Sequence, residues 1–133
     1  MAWTGDLHGD WLVRRRIVDH RARSHYVFEG QAHITPTQFR ETGVMRANGS
    51  TMAATRSYQL LRRQAVLLVL HEDGTPFFSL DLDHGGAIQH RCGEDTYLGR
   101  FLRRDAGCWA ESWRVQGPRK RYRSLTLYRR LLP

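Results

Sequence analysis

The chain has 133 residues, a formal net charge of +8 and 26% charged residues. That length fits one domain, residues 1–133, with a core that needs no disulfide or metal to hold it. Two cysteines, Cys92 and Cys108, form no disulfide framework, the N-terminus around Asp6 lacks the apolar run of a signal peptide, and the longest apolar run, 65–70, cannot span a bilayer, which points to a reducing, cytoplasmic setting.

Lysine occurs once, and Gly, Asp and His interrupt short alternating runs about every 8–12 residues, an all-β pattern. The first predicted strand covers 11–19. The second, 26–34, ends at Thr35-Pro36. The third, 38–45, runs to the turn Asn48-Gly49, and the fourth covers 52–60. The fifth, 64–71, turns through Glu72-Asp73-Gly74 into the sixth, 76–82. His84-Gly85-Gly86 leads into the seventh, 87–92, and Gly93-Glu94 turns it into the eighth, 95–101. A loop around Asp105-Ala106-Gly107 precedes the ninth, 109–116. Gly117-Pro118 then turns into the tenth, 122–131. Short helices at 5–10 or 60–63 are a minor expectation. A meander of about ten strands must close on itself or leave edges that aggregate. The expected fold is therefore a single up-and-down antiparallel β-barrel.

Alternation splits each strand into two faces. The inward set reads Trp11, Val13, Arg15 and Ile17 on the first strand, Phe28, Gly30, Ala32 and Ile34 on the second, and Phe39, Glu41 and Gly43 on the third. Arg56, Tyr58 and Leu60 follow, then Phe78, Leu80 and Leu82 on the sixth. In Arg14-Arg15-Arg16, only Arg15 turns inward. The paired arginines elsewhere divide in the same way, so no single pair makes a one-sided patch; a basic, solvated surface is expected.

The inward faces carry more polar groups than a dry core tolerates: Arg15, Glu41, Arg56, Tyr58, His90, Asp95, Tyr97, Glu111, Tyr122, Thr126 and Tyr128. Two readings stand. One is an internal network pairing Arg15 or Arg56 with Glu41 or Glu111. The other is a cavity whose walls present these groups to a ligand, since a ten-stranded barrel is wide enough to hold one.

Several constellations bear on chemistry. His90 and Cys92 share a face, but residues two apart on a strand stand nearly 7 Å apart, which disfavours a thiol–imidazole pair. The Gly93-Glu94 turn sets His90 beside Asp95 and Tyr97, where a carboxylate could orient the imidazole as an acid or base. Arg56, Tyr58, Arg15, Tyr122, Thr126 and Tyr128 suit an anionic or carbonyl-bearing molecule, with Trp113 as apolar wall. No histidine or cysteine spacing matches a metal site, and no cofactor is expected. Gly117-Pro118-Arg119-Lys120 lacks the spacing of a phosphate loop and reads as a hairpin turn whose basic residues face solvent or the barrel mouth. Aromatics fall on the inward faces, which argues against nucleic acid, and no membrane partner is expected.

Gly9-x-Trp11 with Arg129 or Arg130 at the end of the last strand resembles the calycin arrangement of lipocalins and fatty-acid-binding proteins. There, a tryptophan closes one barrel end under a basic side chain. The stretches Phe28-Glu29-Gly30, Glu41-Thr42-Gly43, Arg56-Ser57-Tyr58 and Asp73-Gly74-Thr75-Pro76-Phe77 resemble a bacterial family of unknown function with lipocalin-like barrels. So does, above all, the Trp-x-Val-x-Gly-Pro-Arg-Lys-x-Tyr segment from Trp113 to Tyr122. That family has histidine where this chain has Phe78 and an acidic residue where it has Arg121. The resemblance implies a fold and no activity. The expected function is binding a small organic molecule inside the barrel of a monomer or homodimer. The alternative is a lipocalin-like enzyme for cyclisation, isomerisation or dehydration, aided by His90 and Tyr97.

Overall fold

The computed structural model describes residues 7–131, which form ten strands. They are β1 Gly9–Asp19, β2 Ser24–Ile34, β3 Gln38–Ala47, β4 Ser50–Arg63, β5 Val66–Leu70, β6 Pro76–Asp81, β7 Gly86–Cys92, β8 Asp95–Asp105, β9 Cys108–Gln116 and β10 Arg121–Arg130. The expected strands and turns are present, with β4 and β8 running several residues further. Residues 60–63 are strand, not helix, and of the other helix candidate Gly9 and Asp10 open β1; its first residues, with Asp6, lie outside those described.

The sheet order is β6-β5-β4-β3-β2-β1-β10-β9-β8-β7, antiparallel throughout. The first and last strands pair from Trp11↔Arg130 to Asp19↔Tyr122. The ring therefore closes through the termini and stays open only between β6 and β7, so the fold is a nearly closed up-and-down barrel. Those two edge strands are short, six and seven residues, which limits the unpaired backbone they present.

The interior face is the one that alternation selects. Trp11, Val13, Phe28, Ala32, Val115 and Tyr128 are almost fully buried, and Glu41 and Thr126 are buried with them. One close approach depends on glycine. Gly30 faces Gly43 across β2 and β3. A Cβ on Gly30 would stand 2.2 Å from the Thr42 carbonyl oxygen and 2.9 Å from the Phe28 ring. The glycine pair thus lets the Phe28 ring lie flat against the sheet, with the Arg15 guanidinium 5.2 Å above it.

One face assignment is corrected. Alternation places Phe78 inward and its neighbour Phe77 outward. The register slips between Val69 and Leu70, so that Val69 opposes Phe78 while Leu70 opposes Pro76. Phe77 is the extra residue of this irregularity, and a bulge re-aims a side chain. Both rings point into the barrel. Phe78 packs 5.4 Å from Phe101 and 5.2 Å from Trp113. Phe77 lies 5.4 Å from His90, 5.8 Å from Tyr97 and 5.6 Å from Trp113. Aromatic packing closes the β6–β7 seam where backbone hydrogen bonds do not.

Candidate functional site

Trp11 sits at one end of the barrel, fully buried, with its indole N–H donating to the Leu7 carbonyl at 2.9 Å. Of the two arginines that could cover it, Arg130 does, with its guanidinium 4.2 Å from the ring. Arg130 also donates to the carbonyls of His8 and Ala106, which ties both chain ends across the barrel floor.

Midway up the barrel, adjacent strands bring four charges together. Register sets Glu41 opposite Arg56 and Thr126 opposite both Arg15 and Glu111. Arg15 donates both terminal nitrogens to the Glu41 carboxylate, at 2.7 and 2.8 Å, and its Nε to Thr126 Oγ1 at 2.7 Å. Arg56 bridges the two acids, reaching Glu41 at 3.0 Å and Glu111 at 2.6 Å. Tyr128 donates its hydroxyl to Glu111, and Trp113 donates its indole N–H to the other Glu111 oxygen at 2.9 Å. Two arginines and two glutamates make a neutral, hydrogen-bonded layer across the lumen. The network reading of these residues therefore holds for all four charges at once.

Electrostatics follow from that layer. Burial alone would push the Glu111 carboxyl up, but Arg56 and Arg15, with the bonds from Tyr128 and Trp113, hold it below the ordinary glutamate value. Burial and the neighbouring Glu111 push the Tyr128 phenol well above its ordinary value. Burial opposes the Arg56 charge, yet Glu111, Tyr128 and Glu41 raise its affinity for the proton well beyond normal.

These shifts predict a pH profile. A depressed carboxyl contributes stability that is complete above its unfolded value and is lost as pH falls through the folded one. A raised phenol contributes stability that is complete below its unfolded value and is lost as pH rises through the folded one. Urea midpoints should therefore be level between about pH 5 and pH 9 and fall on both sides. Tyr128→Phe should shrink the alkaline limb, leaving the smaller part that the raised Tyr122 phenol contributes, and leave the acid limb in place. An alkaline limb unchanged in that variant would assign it elsewhere.

The charged layer and Phe77 divide the lumen in two. Below, toward Trp11, lies a chamber of ≈ 70 Å³ lined by Leu60, Leu67, Val69, Leu80, Phe101 and Trp109 among others. It is apolar and too small for an organic ligand. Above, toward the turns at 71–75, 93–94 and 117–120, lies a chamber of ≈ 410 Å³. Arg15 and Arg56 floor it; Tyr58, His71, Phe77, His90, Tyr97, Trp113 and Tyr122 form walls, with Cys92 and Ser124 between them. Arg56, Tyr58, Phe77 and Trp113 line both chambers and so form the partition. Glu111 borders the lower space and not the upper one, so the upper chamber meets the guanidinium side of the network.

The wall is an aromatic stack. Phe77 lies 15° from the plane of Trp113 and 21° from that of His71, with centroids 5.6 and 4.8 Å apart. At the rim, Lys120 donates to the Tyr97 hydroxyl at 3.1 Å and pairs with Asp95 at 3.4 Å. The bond to Tyr97 and the pairing with Asp95 raise the pKa of its ammonium group. Burial raises the Tyr122 phenol, as does Tyr97 nearby.

The residues singled out from the sequence thus separate. His90, Tyr97, Arg15, Arg56, Tyr58, Trp113 and Tyr122 gather around the upper chamber. Thr126 and Tyr128 do not line it: both are fully buried with their hydroxyls bonded inside the network, so their part is to hold the floor. Asp95 turns to Lys120, and among the described residues no hydrogen bond joins it to His90, so the carboxylate-oriented imidazole expected there does not form. Phe77 and His71 were missed as wall, whereas Lys120, read as a hairpin residue facing solvent or the barrel mouth, stands at the rim. Phe77 was hidden by the bulge and His71 by its place beside a turn. Among the described residues no three His, Cys, Asp or Glu side chains converge as metal ligands, and no helix is long and apolar enough to cross a membrane.

The same fold occurs in solved structures. An S-type phycobiliprotein lyase from Guillardia theta superposes with a TM-score of 0.60 at 9% identity, covering 96% of this chain and 90% of that one. A protein of unknown function from the DUF3598 family of Nostoc punctiforme superposes with a TM-score of 0.58 at 14% identity, covering 95% of this chain and 48% of that one. These likenesses are of fold. No curated protein matches the chain. The model of a family of unknown function, DUF6314, matches residues 7–130.

Proposed function

The chain belongs to DUF6314, a family without an assigned activity, and we propose, from its own geometry, that it binds a small, planar, anionic organic molecule in the upper chamber. One observation carries this reading: a ≈ 410 Å³ space is walled by an aromatic stack and floored by the guanidinium side of a network whose acids face away. Aromatic walls favour a flat ring system, and arginine and lysine edges favour a carboxylate or sulfonate on it. Lys120 at the rim adds a cation on the way in. The likeness to a phycobiliprotein lyase is consistent with a barrel that handles a small molecule.

The probe for this is anilinonaphthalene sulfonate, an anion with a flat naphthalene ring that fluoresces when desolvated. It should bind at one site. Ser124→Trp, which fills the chamber from its wall, should abolish binding while the fold persists. Lys120→Ala should weaken it up to about fivefold, as expected for a half-exposed ion pair. Binding that survives Ser124→Trp would show that the chamber is not the site. A second reading, acid–base catalysis on the bound molecule, rests on His90 facing Tyr97 directly across β7 and β8 on the chamber wall. It predicts that His90→Ala retains the probe but stops conversion of any compound that copurifies, as followed by native mass spectrometry.

A further inference from the structure

The net charge of +8 is not spread evenly over the barrel. The outward positions of five adjacent strands, β1, β10, β9, β8 and β7, carry Arg14, Arg16, Arg123, Arg129, Arg114 and Arg100, all exposed. The outward carboxylates on these strands are Asp10, at the end of β1 and bonded to His33 at 2.5 Å, and Asp105, at the end of β8, which accepts from the Gly107 N–H at 2.8 Å. Alternation therefore does make a one-sided basic face: each arginine pair sends one member out, and the members sent out fall on neighbouring strands. The other half of the barrel is more balanced, with Arg46 paired to Glu29 at 2.7 Å.

The same five strands expose Leu12, Leu98, Leu102, Leu125 and Leu127. Register interleaves the two residue types: Leu12 lies opposite Arg129, Arg14 opposite Leu127, Arg16 opposite Leu125 and Leu98 opposite Arg114. Arg123 lies directly opposite Arg114, a like-charge pair that works against the sheet. Neither the exposed leucines nor that pair helps the isolated barrel. Over this face runs an open groove of ≈ 880 Å³, bordered by Arg16, Arg100, Arg114 and Arg123 and by Leu98 and Leu125.

We infer that this groove docks an acidic, amphipathic segment of a partner protein. Leucines at the groove accept an apolar stripe, and the arginines around them accept carboxylates in forked pairs. No outward position of these strands carries an aromatic ring, so bases have nothing to stack on, and a concave groove does not match a flat bilayer. A second copy supplies no acidic strip: of its exposed carboxylates among the described residues, Asp10, Glu29 and Asp81 are bonded to His33, Arg46 and His84, and Glu72, Asp73, Asp83, Glu94 and Asp105 are scattered over turns and strand ends instead of lying along one face.

A labelled helical peptide of ~18 residues, with leucines on one face and glutamates on the other, serves as the probe in fluorescence anisotropy at about 0.15 M salt. Its scrambled isomer, a short DNA duplex and vesicles of equal phosphatidylglycerol and phosphatidylcholine are run beside it. The amphipathic peptide should bind better than its isomer. Both Arg100→Glu/Arg123→Glu and Leu98→Ser/Leu125→Ser should weaken it about tenfold or more, and Arg40→Glu/Arg63→Glu, on the other half of the barrel, should not. All six positions face solvent, and near-UV circular dichroism checks that each variant is folded. Equal binding of the isomer, insensitivity to the leucine pair, or tighter binding of duplex or vesicles that the same variants abolish would overturn the inference.

Discussion

Glu41→Gln is expected to destabilise the barrel by about 3–5 kcal/mol, the usual cost of leaving a buried charge without its partner. Glu41 is 1% exposed and holds both terminal nitrogens of Arg15 as well as the Nε of Arg56. Glutamine keeps the shape and loses the charge, so two guanidiniums would share Glu111 alone. Denaturant unfolding measures this directly. The double variant Arg15→Met/Glu41→Leu should be less damaged than Glu41→Gln alone, because it leaves Arg56 and Glu111 as a neutral pair. A single-variant cost below about 1 kcal/mol would place the layer among exposed ion pairs and remove it as the rigid floor of the chamber.

Trp11→Ala is expected to cost a similar amount, about 3–5 kcal/mol for deleting a large buried aromatic side chain. The Trp11 ring is fully buried and stands edge-on to Trp109 at 6.0 Å, with Arg130 above it. Alanine would open the barrel floor and leave that guanidinium without its π face. Trp11→Phe should recover a large part of the loss, since a smaller ring still fills and faces the cation. Unfolding midpoints of the two variants test this; equal loss in both would mean that the indole bond to Leu7, not the ring, is what matters.

Much of the architecture was legible because its causes are local. Turn residues such as Asn48-Gly49 and Glu72-Asp73-Gly74 set the strand boundaries, and period-two alternation set the faces. Arg15 could be read as inward between two outward arginines for that reason alone. The floor was legible too, as Gly9-x-Trp11 with a terminal arginine; alternation puts Arg130 on the inward face with Tyr128, and the register of β1 and β10 sets it opposite Trp11. The failures have two physical sources. A single extra residue in β6 turned Phe77 inward, and no alternation rule detects a bulge without the partner strand. Asp95 and His90 were correctly set on neighbouring strands, but the Asp95 carboxylate bonds Lys120 instead.

By itself, the sequence determined the strand count, the inward face apart from Phe77, and the list of polar groups that had to be reconciled inside, because each depends on spacing along one strand. Only the tertiary structure decided what those groups do. Whether Arg15, Glu41, Arg56 and Glu111 satisfy one another or await a ligand depends on distances between strands far apart in the chain. Those distances resolved the polar interior into a closed ionic floor, with Thr126 and Tyr128 inside it, and an open chamber above. They also gathered outward arginines, scattered along the chain, onto one face, because sheet order and not chain order makes β1, β10, β9 and β8 neighbours.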